Sequence, residues 1–427
     1  MNVLSADWVL PVSGPPIRDG AVAIEDSRIV AVGPTADLGK GRHFPDSAIL
    51  PGLVNAHSHL EYAVYAGFGD PARDFSEWIG IHVERKQRLA FPDVVDIARL
   101  GAAECLASGI TTVGDCSFSG AAAPACAELG LRGTVYLEMF GADPAKALER
   151  FEGLRSSVAG IFGDLVRLGV SPHAPYTASL DVYEACESLN LPIATHLSES
   201  ASETEYLVGG TGPWGSFADM LVPPPGMTGI RLLADAGLLG SQVVAAHCVT
   251  VDPEEIRLLA ASGTAVAHCP RSNAQLGCGV APLRALIDGG VVVGLGTDSP
   301  ASTPSFDMFE ELRAAVYFAR ARERRPDAIT AAEALELATL GSARALGLAD
   351  EIGSLEPGKL ADVTVLSLEG SPFLPWEDPA AAAVFGGSPA RVLLTLVGGE
   401  VRYERGTSAW HELRQNGIRA RTRLLSK

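Results

Sequence analysis

Eight short apolar runs in the middle of this 427-residue chain each stop at a histidine or a carboxylate, and stretches of helical period separate them. The runs end near His59, Asp115, Glu138, His173, His196, His247, His268 and Asp298. Strands that alternate with helices imply parallel pairing, because a crossover must carry the chain back before the next strand begins. The helices have their own signals. Between Pro92 and Leu106, the side chains of Val94, Ile97, Ala98, Ala102 and Leu106 fall on one stripe. Asp252 and Pro253 give an N-cap and a first-turn proline, and Glu255 completes a capping box. Thr330 and Glu333 repeat the box for a helix that should end near Leu348. Eight βα units predict an α/β fold, a (β/α)8 TIM-like barrel of roughly 250 or more residues. A doubly wound sheet is the alternative, but it would not gather so many strand ends around one point.

Both ends of the chain are strand-rich. Gly20 to Gly33 holds two alternating runs with a turn at Asp26 and Ser27, and the pattern returns over Ala361 to Leu368 and Ala390 to Tyr403. The simplest arrangement is a small β-sandwich domain built from both chain termini, residues 1–51 and 354–427, with the barrel over 52–353.

At 47% hydrophobic and 20% charged, the composition is that of a globular protein. A formal net charge of -18 argues against a nucleic-acid partner, whose phosphates are held by Lys and Arg. The seven cysteines are odd in number and contain no Cys-x-x-Cys pair, which suggests reduced thiols rather than disulfides or a zinc ribbon. No basic stretch followed by an apolar run opens the sequence, and every apolar run is strand-length. These features predict a cytoplasmic protein that binds neither membrane nor nucleic acid. A homo-oligomeric state stays open.

His57 and His59 lie one residue apart at a strand end, so both rings point to one side, as half of a metal site requires. Alone, His-x-His is a weak signal; His196 supplies a third nitrogen. Asp298 closes the very apolar run Val291 to Thr297, where an unpaired carboxylate would be expensive to bury. An ion would neutralise it, and Asp298 could also take a proton from water bound there. Glu199 follows His196 by three residues, the placement of a proton shuttle beside a metal; a helix-start glutamate is the plainer reading. Glu203, one turn further, reads as a helix surface residue or an outer contact. His247 could equally be a core histidine bonded to a carbonyl. His173 and His268 end their strands with a binding role and a structural one evenly balanced. His43, His82 and His411 carry no assigned chemistry.

The chain strongly resembles the amidohydrolase superfamily, in its cytosine, guanine and adenosylhomocysteine deaminase-like branch. The likeness spans nearly the whole chain. It rests on Pro51 to His59, Gly109 to Asp115, Thr195 to Glu199, Ala246 to Cys248, Gly296 to Ser299 and Gly353 to Asp362. It implies His57, His59, His196 and Asp298 as metal ligands, Glu199 as proton shuttle, His247 beside the attacking water and His173 on the substrate. Some barrels of this kind bridge two metals with a carboxylated lysine on the fourth strand. No lysine lies there in this chain, so one divalent ion is expected, zinc first and ferrous iron with the same donors.

Segments Asp74 to Ile79, Val135 to Gly141, Ser171 to Tyr176 and Cys269 to Asn273 look most like the 6-aminodeoxyfutalosine deaminases of menaquinone synthesis. That likeness implies a purine nucleoside-like substrate with a carboxylate, and hence a cation in the pocket, with Arg271 or Arg73 the candidates. The reaction implied is hydrolytic deamination. Adenosylhomocysteine, methylthioadenosine or guanine deamination, hydrolysis of a cyclic amide or a triazine, and a non-catalytic barrel scaffold are the competing readings.

Overall fold

The computed structural model describes residues 2–70, 72–373, 377–407 and 410–426, and strand pairing there sorts the chain into two sheets. The first four strands are β1 (Asn2–Val9), β2 (Ile17–Glu25), β3 (Arg28–Pro34) and β4 (Arg42–Pro51). Eight more follow: β5 (Leu53–Ser58), β6 (Ile110–Ser117), β7 (Arg132–Met139), β8 (Val166–Pro172), β9 (Ile193–Leu197), β10 (Val243–His247), β11 (Ala265–His268) and β12 (Val293–Leu295). The last three are β13 (Val363–Ser367), β14 (Val392–Val397) and β15 (Glu400–Glu404).

Strands β5 to β12 pair in chain order, every neighbour parallel, as the eight polar-ended runs predict. The barrel closes where β12 meets β5. There Asn55 donates through Nδ2 to Thr297 Oγ1 (2.7 Å) and accepts from Thr297 N (2.9 Å), while Asp298 N donates to His57 O (3.0 Å). Gly296 permits this approach, since a Cβ there would sit 2.9 Å from the backbone of His57. Closure therefore fixes one metal-type carboxylate against one metal-type imidazole.

Seven strands from the two termini form the second sheet, in the order β15-β14-β13-β4-β1-β2-β3. One apolar cluster joins its two halves, with Val22, Ile24 and Ile29 packed in the same core as Val363, Val365, Leu394 and Leu396. An antiparallel bridge joins Arg28, at the start of the edge strand β3, to Leu360, just before β13, so the sheet folds over onto itself as a small sandwich. A buried ion pair, Arg132 Nε to Asp362 Oδ2 at 3.0 Å, fastens the start of β7 to the start of β13.

The stripe expected from Pro92 to Leu106 is the buried face of the helix Phe91–Ala107. The helix begun by Thr330 departs from expectation. After Ala331–Glu336 it widens into a π turn over Leu337–Gly341 before Ser342–Ala345. The wide turn sets Ser342 Oγ between the N–H and C=O of Leu295, in the barrel wall. The stretch His411–Leu425, grouped with the terminal strands by chain position, is a helix that packs on the barrel side. Its Ala420 and Leu424 are buried with Val64 and Ile97, and Asn416 Nδ2 donates to Asp96. Among the described residues, no helix is long and apolar enough to cross a membrane.

Candidate metal centre and cavity

The C-terminal ends of the barrel strands bring His57, His59, His196, Glu199, His247 and Asp298 to one place, all of them buried. Candidate ligand atoms of His57, His59 and His196 lie within 4.8 Å of one another, as do those of Glu199, His247 and Asp298.

Hydrogen bonding fixes which nitrogen of each ring faces inward. His59 donates through Nδ1 to Cys116 O (2.8 Å), and His196 donates through Nδ1 to His173 O (2.8 Å). A neutral ring carries one proton, so both Nε2 atoms are bare lone pairs. They face each other at 3.4 Å. Asp298 Oδ1 lies 3.5 Å from His59 Nε2 and 3.8 Å from His57 Nε2, and His57 Nε2 has no hydrogen-bond partner. Lone pairs and an anion crowded together repel, unless a cation accepts from all of them. Burial, reinforced by the neighbouring imidazoles, keeps His57 and His196 well below the usual histidine range, which is the neutral form a metal needs. This donor set fits a divalent ion.

Each inner group is held from behind. Asp298 Oδ2 accepts from Ser272 Oγ (2.6 Å) and Ser302 Oγ (2.8 Å), which leaves Oδ1 to the imidazoles. Asp115 Oδ2 accepts from Leu60 N (2.7 Å) and Ser58 Oγ (2.9 Å) and so pins the His-x-His turn. Backbone strain gathers here too: Ser198 (φ 51), His247 (φ 75), Cys248 (φ 48) and Asp298 (φ 56) are all left-handed.

Glu199 and His247 face each other across the site, with Oε1 and Nε2 3.6 Å apart. Burial, reinforced by Asp298, pushes the Glu199 carboxyl well up, which favours its protonated form. Glu203, which the sequence suggests is an outer residue, is buried and structural: its carboxylate accepts from Ser198 N and Glu199 N (both 2.8 Å) and holds the strained turn that aims Glu199. His247 donates through Nδ1 to Asn273 Oδ1 (2.9 Å), and Asn273 Nδ2 has no partner in the protein.

A cavity opens over these groups. His173 is on its wall, 4.7 Å from the His196 ring and bonded through Nδ1 to Thr177 Oγ1 (2.7 Å). Arg271 is not on that wall. Its guanidinium is spent on Glu310 (3.2 Å), Glu311 (3.3 Å) and the carbonyl of Asp307 (3.0 Å), so the substrate contact expected of it is not where the structure places it. Arg73 lies outside the cavity as well, 85% exposed and paired with Glu77.

The cavity's roof escaped the sequence reading. The helix Phe75–Lys86, capped by Asp74, lines the cavity with Phe75, Trp78, Ile79, His82, Val83 and Lys86. Their spacing is one helical face, a signal present in the sequence. His82, left without chemistry there, donates through Nδ1 to Trp78 O (2.7 Å) and leaves Nε2 without a partner in the protein. Glu138, at the end of β7, also faces the cavity.

Residues 48–402 match the Amidohydrolase family, and residues 20–40 match the Imidazolonepropionase-like composite domain of bacteria. The chain is 35% identical over 421 residues to a 5-methylthioadenosine/S-adenosylhomocysteine deaminase of Symbiobacterium thermophilum, covering 94% of this chain and 93% of the relative. It is 32% identical over 403 residues to a 5'-deoxyadenosine deaminase of Methanothermobacter thermautotrophicus, covering 91% and 90%. A solved structure of an adenosine deaminase from Xanthomonas campestris with bound zinc superposes with a TM-score of 0.89 at 29% identity, over 99% of this chain and 98% of that one.

Proposed function

The chain belongs to the amidohydrolase family, as a hydrolase of carbon–nitrogen bonds other than peptide bonds, and on that premise we propose that it is a metal-dependent deaminase releasing ammonia from the adenine ring of a nucleoside. One observation carries the reading: the bare Nε2 atoms of His59 and His196 converge beside Asp298 Oδ1, with Glu199 and His247 facing each other at the rim.

In this reading His57, His59, His196 and Asp298 hold one zinc ion, and the same donors suit ferrous iron. When bound, the ion lowers the pKa of water toward ~7 and so supplies the nucleophile at neutral pH. The remaining steps belong to the side chains. Asp298 Oδ1 accepts the proton that water gives up. Glu199, whose protonated form is favoured by its burial, delivers its proton to the ring nitrogen next to the amino-bearing carbon and makes that carbon electrophilic. Asp298 then passes the proton it took from water to the departing amino group, and Glu199 regains its own from the new hydroxyl as the carbonyl forms, so that ammonia leaves and both carboxyl groups return to their starting states.

His247 stabilises the charge that develops on oxygen, which requires a hydrogen on Nε2. Asn273 governs this. Its Oδ1 faces His247 Nδ1 and accepts that nitrogen's proton; a half-turn of the amide, whose two ends have the same shape, would instead present the unpartnered Nδ2, donate to Nδ1 and leave the ring's proton on Nε2. Asn273→Leu removes that partner and keeps a branched side chain. It is expected to lower kcat/KM by about 10- to 100-fold, the scale seen when a site histidine loses its orienting partner. Metal content, measured by atomic absorption, should not change.

Among adenine nucleosides, 6-aminodeoxyfutalosine of menaquinone synthesis is the substrate we favour. Supporting it are the four segments noted in the sequence and a cavity walled by Phe75, Trp78, Phe140, Tyr176 and Phe217, which suits a second apolar group beyond adenine. Deamination of 5-methylthioadenosine or S-adenosylhomocysteine is the second reading, favoured by the relatives. A screen for ammonia release over these three nucleosides and 5'-deoxyadenosine decides. Ammonia and the matching hypoxanthine product are expected from 6-aminodeoxyfutalosine with the highest kcat/KM. No ammonia from any of them would sink the deaminase reading, and preference for another nucleoside would sink only the favoured substrate.

A further inference from the structure

At the end of the cavity helix, Lys86 forms part of the cavity wall. Its ammonium lies 4.7 Å from the centre of the Phe118 ring, and among the described residues it makes neither a hydrogen bond nor an ion pair. Burial draws its pKa down against the pull of Glu138 and Glu61, with Arg150 adding repulsion.

Neither nearby carboxylate closes an ion pair with it. Glu61 is fully occupied, accepting from the backbone N–H of Phe118 (3.0 Å), Ser119 (3.2 Å) and Ala121 (2.9 Å) and from the hydroxyls of Ser117 and Ser119. Glu138 is on the cavity wall and stands more than 4.0 Å from the ammonium by the distance that defines an ion pair. Arg150 is turned to the carbonyls of Phe118 and Glu138. A largely desolvated ammonium is costly without an anion and hydrogen-bond acceptors. The cavity's other cation candidates are absent from the wall, since Arg271 is bound to Glu310 and Glu311 and Arg73 lies in solvent.

We propose that Lys86 is the residue that selects, among adenine nucleosides, those whose tail carries a carboxylate. The carboxylate completes the pair that the protein leaves open, while the aromatic walls take the body of the ligand. An uncharged tail leaves the ammonium buried and unpaired. The inference rests on the deaminase reading and assigns its specificity to one side chain.

The test is a ratio: kcat/KM for 6-aminodeoxyfutalosine divided by kcat/KM for 5'-deoxyadenosine, measured by ammonia release in wild type, Lys86→Met and Lys86→Arg. Methionine keeps the length and apolar stem of lysine without the charge. In Lys86→Met the ratio should fall by about 10- to 100-fold, the scale of a charge-assisted contact, and the loss should sit in KM rather than kcat. Lys86→Arg retains the charge and should restore most of the ratio. If both substrates lose equally in Lys86→Met, or if arginine rescues nothing, the assignment to Lys86 is wrong while the deaminase reading stands. If wild type releases ammonia from neither nucleoside, the deaminase reading fails and takes this inference with it.

Discussion

Asp298→Asn is expected to cost about four orders of magnitude in kcat/KM and to strip the protein of its metal. The substitution isolates the charge. Asparagine tolerates the left-handed backbone that this position needs (φ 56), and it keeps an oxygen for the hydroxyls of Ser272 and Ser302. What it loses is the anion at Oδ1, 3.5 Å from His59 Nε2 and 3.8 Å from His57 Nε2. Three neutral imidazoles would then face the ion alone, and no base would remain to take the proton from water. Two readouts are needed, ammonia release and metal content after exhaustive dialysis. Turnover restored fully by excess zinc would reduce Asp298 to a ligand without a role as base. Full metal content and full turnover without added zinc would remove it from the site altogether.

The sequence makes the barrel legible because its strands announce their ends. A parallel barrel puts chemistry at the C-terminal end of each strand, so a histidine or carboxylate after an apolar run is both a boundary and a functional mark. Such a reading finds His57, His59, His196, His247 and Asp298 one strand at a time, and the structure brings them together. It does not find what lies between strands. The Asn55–Thr297 pair that closes the barrel joins residues 242 positions apart, and nothing local to either residue reveals the partner. Glu203 reads as a surface residue because its spacing is helical, yet the backbone N–H groups of Ser198 and Glu199 draw its carboxylate inward.

The misplaced cation has a similar cause. Arg271 stands beside Pro270, Ser272 and Asn273 at the end of β11, which favours it by position in the chain, but Glu310 and Glu311 come from a helix some forty residues later. Lys86 lies on the roof helix, whose cavity face shows only when Phe75, Trp78, Ile79, His82 and Val83 are read with it at helical spacing. Partners decide what a charged side chain is free to do, and distant partners are what a single sequence conceals.

Glu199→Gln should leave the metal in place and still lower kcat by about 10³-fold, within the range for loss of a positioned general acid. The change is nearly isosteric, and Glu203 continues to grip the backbone of the turn at Ser198 N and Glu199 N. Glutamine can donate a hydrogen bond to a ring nitrogen, so the substrate should bind and KM should move little. It cannot surrender that proton, and the ring carbon then stays a poor electrophile. This outcome separates the two carboxylates: Asp298→Asn loses ion and turnover together, whereas Glu199→Gln loses turnover alone. Only Asp298 lies against the imidazole nitrogens of both His57 and His59, while Glu199 faces His247 at 3.6 Å with its protonated form favoured by burial. Metal loss in Glu199→Gln would make Glu199 a ligand. Unchanged kcat would mean that the ring nitrogen takes its proton from elsewhere, with His247 and Asp298 the nearest groups left to supply it.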